Sequence, residues 1–174
     1  EEGVSFVYEK RRQKGAVYNV YAAADIKRAD GTVVYKQGAL VKENLTTGDD
    51  GSATLKGLYL GTYRVTEMKA PTNLICTGES KEVTLSYAGQ NVEVAVGDLT
   101  FVNDRQKAKV FAEKQDKDTK KPLAGAVFGL YAGKDIKNQD GQVVVVKDTL
   151  IAKATTDEMG SSAFAADLPN NNSY

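Results

Sequence analysis

Lys10, Glu67 and Asn103 supply an amine, a carboxyl and a carboxamide, the three groups from which an amide bond between side chains can be made. Each stands where an inward-facing run of apolar residues would continue: Phe6, Tyr8, Lys10; Tyr63, Val65, Glu67; Leu99, Phe101, Asn103. Strand side chains point to opposite faces with period two, so all three polar groups are expected to face a core. The middle run is the clearest, because Arg64, Thr66 and Lys69 supply a solvated opposite face. Val7 and Val102 weaken the other two, since a one-residue slip would still bury something apolar.

An ammonium cannot attack an amide. At neutral pH a lysine sits about three units below its ordinary pKa, so the neutral amine costs roughly 4–5 kcal/mol. Burial lowers a lysine pKa and raises a glutamate pKa, so an apolar core would hold Lys10 as free amine and Glu67 as carboxylic acid. Protonated Glu67 could then polarise the Asn103 carbonyl and pass protons to departing ammonia. Phe6, Tyr8 and Phe101 would keep water out and favour aminolysis. The plainer reading is an ordinary Lys10–Glu67 salt bridge, with Asn103 capping a turn. Asp98 or Asp104 could replace Asn103, with water leaving instead of ammonia.

Composition narrows the function. Lys plus Arg and Asp plus Glu both number 23, which leaves no excess positive charge for nucleic acid or an anionic membrane surface. Histidine is absent, so no Ser-His or Cys-His catalytic arrangement exists and the commonest zinc ligand is missing. With no glycine-rich phosphate loop or metal cluster either, we expect no enzyme acting on an external substrate, no cofactor and no metal. The single cysteine, Cys76, cannot form an intramolecular disulfide. No apolar run reaches the length of a membrane helix, and Glu1-Glu2-Gly3 is unlike a signal peptide, so targeting segments are expected outside these residues.

The chain is internally duplicated. GAVYNVYAAADIKRADG from Gly15 returns as GAVFGLYAGKDIKNQDG from Gly125, TTGDDGSATLKGL from Thr46 as TTDEMGSSAFAADL from Thr155, and Glu9-Lys10 as Glu113-Lys114. Short Val, Tyr, Thr and Leu-rich runs between Asp-Gly and Asn/Ser-rich turns, without helical periodicity, predict an all-β chain of tandem Ig-like antiparallel β-sandwich domains. Strands are expected near 4–10, 15–23, 32–36, 39–44, 52–56, 61–67, 81–87, 91–96 and 99–103. One domain should span 1–105. The second, 106–174, should be incomplete, because the sequence stops before a counterpart of Glu67 or Asn103.

YRVTEMKAP around Glu67, TFVND around Asn103 and, in the second copy, EKQDKDTKKPLAGAVFGLYA resemble the Cna protein B-type repeat, the SpaA-like or prealbumin-like module of Gram-positive surface adhesins and pilins. The resemblance implies Lys10 as nucleophile, Glu67 as catalytic acid and Asn103 as electrophile of an isopeptide bond, with Lys114 as the second domain's lysine. Arg11-Arg12 stand where the family continues with an aspartate and a long hairpin, which makes Lys14 the second candidate nucleophile. The function implied is a structural stalk module of a cell-wall-anchored extracellular protein, with neighbouring repeat domains as partners. The alternative is a binding module whose loops at 24–31 and 134–141 recognise a host matrix protein or glycan, although Asp-Ile-Lys and Asp-Gly there read more simply as turn chemistry. The sequence has no Tyr-Pro-Lys polymerisation motif, which favours a multidomain adhesin over a polymerised pilus shaft.

Overall fold

The computed structural model describes residues 3–174, all in strands, turns and extended segments. These form two units, one of residues 10–105 and the other of 3–9 together with 106–174.

In the first unit a four-stranded antiparallel sheet has the order β4-β1-β5-β6, with β1 Val17–Ala22, β4 Leu40–Thr46, β5 Gly61–Lys69 and β6 Ser80–Leu85. Strict alternation in β1 turns Tyr18, Val20 and Ala22 into the core and leaves Val17, Asn19 and Tyr21 half-exposed. On the outer face the Arg64 guanidinium lies 5.3 Å from the Tyr21 ring centre. A small hairpin of β2 Ile26–Lys27 and β3 Val33–Tyr35 turns at Asp30-Gly31, where Gly31 takes φ +84° and Asp30 Oδ1 accepts the Thr32 N–H. Val20, Ala22, Ile26 and Tyr63 form the core cluster. Gly61 opens β5 because a Cβ there would collide with Ile26 Cδ1.

In the second unit β7 Phe111–Glu113 pairs with β12 Ser161–Ala163, β8 Val127–Tyr131 with β11 Leu150–Thr155, and β9 Ile136–Lys137 with β10 Val143–Val145. Its core gathers Leu130, Ala132, Ile136, Val145, Ile151, Phe164 and Leu168.

The duplication is visible in the hydrogen bonds. Thr47 Oγ1 accepts the Ala16 N–H and donates to the Gln13 carbonyl; Thr156 Oγ1 accepts the Ala126 N–H and donates to the Leu123 carbonyl. Asp25 and Asp135 each accept a backbone N–H twelve residues on, from Gln37 and Lys147.

Two expectations need correction. Residues 4–10 were expected as the first strand of the first domain, but residues 3–9 belong to the second unit. Val4 and Phe6 pack against that unit's core, the Val4 N–H donates to the Ile151 carbonyl at 2.9 Å, and the Tyr8 hydroxyl donates to the Asp167 carbonyl. An alternating apolar segment is satisfied by any apolar groove, and here the second unit supplies one. Residues 52–56, 91–96 and 99–103 form no ladder. Two of them still alternate in burial: Ala53 and Leu55 are half-buried between exposed neighbours, as are Leu99, Phe101 and Asn103.

Candidate functional site

Glu67, near the end of central strand β5, is only 2% exposed. Its position follows from sheet register, since it stands directly opposite Tyr18 of β1 on the core face. The Tyr18 ring lies 4.8 Å from that of Phe101 and walls the carboxyl on one side. Phe101 is held in turn by Lys81 of β6, whose ammonium sits 5.1 Å from the ring centre and donates to the Thr100 carbonyl at 2.6 Å.

Two residues beyond Phe101, the Asn103 amide nitrogen donates to Glu67 Oε2 at 2.8 Å and to the Ile75 carbonyl at 3.1 Å. The connection after Pro71 is folded back to make this possible: the Ile75 N–H donates to the Asp104 carbonyl, and Leu74 bridges Arg105. Because the Ile75 carbonyl can only accept, it fixes which end of the carboxamide faces Glu67. That end is the nitrogen, so the sequence-based expectation that Glu67 addresses the Asn103 carbonyl oxygen is corrected. Oε2 stands beside the group that would leave.

The other oxygen, Oε1, is buried and has no hydrogen-bond partner. A buried acceptor without a protein donor is costly. Burial raises the Tyr18 phenol above its ordinary pKa, and the negative charge of Glu67 adds to the effect.

The structure thus brings together Glu67 and Asn103. It does not bring Lys10, which is exposed rather than inward-facing, because the segment before it belongs to the other unit. Lys14 lies on the surface, ion-paired to Asp49 at 2.8 Å, which raises its pKa and ties up its amine. Lys114 directly follows β7 and is exposed; its N–H donates to the Gly160 carbonyl. Asp98 and Asp104 are exposed, unlike Asn103. Cys76 is exposed, with its thiol 3.8 Å from the Glu67 carbonyl. Three contributors escaped the sequence reading. Alternation in β1 could have found Tyr18, but the Ile75 carbonyl and the Lys81 clamp depend on loop paths that carry no residue signal.

The SpaA prealbumin-like fold domain matches residues 7–100 and again 108–174. The chain belongs to this family. Its all-β sandwich architecture accounts for the antiparallel strands of both units. Among solved structures, the chain is similar to the Bacillus anthracis TIE protein at 27% identity and a TM-score of 0.52, over 90% of this chain and 23% of that one. It is also similar to BcpA, the major pilin subunit of Bacillus cereus, at 18% identity and a TM-score of 0.37, over 87% of this chain and 52% of that one. The chain therefore spans well under two thirds of either protein. No curated protein matches it in sequence. Among the described residues no group of His, Cys, Asp or Glu could hold a metal ion, and no helix is long and apolar enough to cross a membrane.

Proposed function

We propose that this SpaA-family chain is a structural stalk module of an extracellular, cell-wall-anchored adhesin or pilus-like protein, and that its first unit is closed by an isopeptide bond between Lys10 and Asn103. The observation that carries the reading is the buried Glu67 carboxyl on the core face, in hydrogen-bond contact with the Asn103 carboxamide. The carboxyl carries one proton from nucleophile to leaving group. As the Lys10 Nζ, a neutral amine, attacks Asn103 Cγ, Glu67 accepts a proton from it at Oε1; the carboxyl then hands that proton to Nδ2, which it already touches, the Cγ–Nδ2 bond breaks and ammonia leaves. The products are one secondary amide and one ammonia, with no external co-reactant. Tyr18 and Phe101 shield the carboxyl from water, which disfavours hydrolysis to aspartate.

Such a bond ties the start of the first unit to its last extended segment, so tension along the chain would bypass the core. This suits a rod of tandem modules whose neighbours are further repeats, and the chain acts on nothing but itself. Intact-mass measurement tests the reading. The purified chain should weigh one ammonia less than its sequence, and Glu67→Ala should restore the full mass; a full-mass wild-type chain would overturn it.

A further inference from the structure

A lysine stands in the apolar row of β6. The strand alternates so that Lys81, Val83 and Leu85 are half-buried between exposed neighbours, and Val83 and Leu85 pack against the core cluster. Lys81 is in register with Val65, which precedes Glu67 on the inner face of β5. Residues 97–103 run over this row without forming a ladder. Two close approaches show their track. A Cβ on Gly97 would collide with Val83 and crowd Leu85, and the Thr100 carbonyl accepts from Lys81 Nζ at 2.6 Å. The same ammonium faces the Phe101 ring and reaches the Glu79 carboxylate at 3.4 Å.

We propose that Lys81 is a positioning residue of the Glu67 and Asn103 site: by gripping Thr100 and Phe101 from the row beneath them, it sets how Asn103 meets Glu67. The chemistry suits the task. Residues 99–103 lack a strand partner to fix their register, so side chains must do so. An ammonium bonded to a carbonyl and seated on a ring face holds backbone and side chain at once. Alternation carries the grip forward, because Asn103 is two residues beyond Phe101 and turns to the same side. An apolar residue at position 81 would fill the row and leave the Thr100 carbonyl free to slide. Lys81 is itself an amine on the inner side of the sheet, and its engagement with Thr100 and Glu79 assigns it to holding rather than to attack. This deepens the isopeptide reading and rests on it for its purpose, since a seated carboxamide is what the incoming Lys10 amine requires.

The grip can be tested apart from the reaction. In the full chain carrying Lys10→Ala, which leaves Asn103 uncoupled, hydrogen exchange of the Asn103 side-chain amide, followed by NMR, reads its bonds to Glu67 and Ile75. Adding Lys81→Met should speed that exchange about tenfold or more while the backbone amides of Val20 and Ala22 in β1 keep their protection. Adding Lys81→Arg instead, which retains charge and donors, should leave it close to the parent. Unchanged Asn103 exchange in Lys81→Met, an equal rise at Val20 and Ala22, or the same loss in Lys81→Arg would overturn the role. With Lys10 restored, Lys81→Met should lower the fraction of chains that have lost ammonia. A loosened Asn103 in Lys81→Met alongside a full-mass native chain would keep the grip and sink the cross-link. Ammonia loss with Asn103 exchange untouched by Lys81→Met would do the reverse, and a peptide map joining Asn103 to Lys81 in place of Lys10 would overturn both.

Discussion

Replacing Lys10 with Ala separates a cross-linked domain from one that is merely packed. Lys10 is exposed and contributes to no apolar cluster, so without a covalent bond its truncation should change stability by no more than about 0.5 kcal/mol, as for an ordinary surface site. With the bond, truncation opens a loop of roughly ninety residues, whose closure restricts the unfolded chain by about 4–5 kcal/mol. For a unit of this size that corresponds to a fall in Tm of about 20–30 °C. The two cases differ about tenfold, well beyond experimental error. Thermal unfolding by circular dichroism, paired with intact mass, reads both: Lys10→Ala should melt far below wild type and regain the mass of one ammonia, and Lys14→Ala should do neither. A Lys10→Ala chain that melts within about 4 °C of wild type would refute the reasoning, since a lost link of that length cannot be so small.

Three further outcomes follow from the fold. Gly61→Ala should destabilise the first unit by about 1–3 kcal/mol through its clash with Ile26 at a φ of +150°, measured by urea unfolding. Thr47→Val and Thr156→Val should each cost about 1–3 kcal/mol, each leaving an N–H and a carbonyl unpaired, and calorimetry should show each acting on its own unit. Tyr18 and Tyr63 have phenols raised above 10.0 by burial, so the folded state favours their protonated forms; that stability is complete below pH 10 and is lost as pH rises through the folded values. Phenolate absorbance should accordingly show late-titrating tyrosines, and their loss in Tyr18→Phe and Tyr63→Phe checks the assignment.

Much of the first unit was legible because its central strands have one wet and one dry face. β1 and β5 show this alternation plainly, and the burial of Glu67 follows from it. What alternation cannot supply is the partner. Phe6 and Tyr8 announce a strand-like segment with one apolar face, but the groove beside Ile151 accepts such a face as readily as the first unit's own core would, so the pattern alone does not choose the unit. Asn103 was placed on the correct face for the same reason that Lys10 was misplaced. Its neighbours Leu99 and Phe101 find their groove within their own unit, clamped by Lys81. The amide's orientation was illegible because a backbone carbonyl, Ile75, decides it.

The duplicated residues also bear on the choice between stalk and binding module. A repeated loop that served a ligand would hold polar groups free of the loop's own backbone. The loops' acidic and amide oxygens are instead engaged by backbone: Asp25 and Asp135 each spend a carboxylate oxygen on the amides of Gln37 and Lys147, Asp30 spends one on that of Thr32, and Asn138 gives its carboxamide oxygen to those of Asp140 and Gln142. These are the bonds that hold a turn in shape, and Asp30 is lowered below its ordinary pKa by them rather than by any outside cation. What the two copies share is thus the means of closing a β-sandwich unit. Glu67 and Asn103, the residues of the proposed cross-link, lie apart from those loops, on the core strand β5 and on the extended segment held against it. A module whose loop carboxylates serve its own turns, with its polar constellation held against the core sheet, fits the stalk reading proposed above better than the binding one.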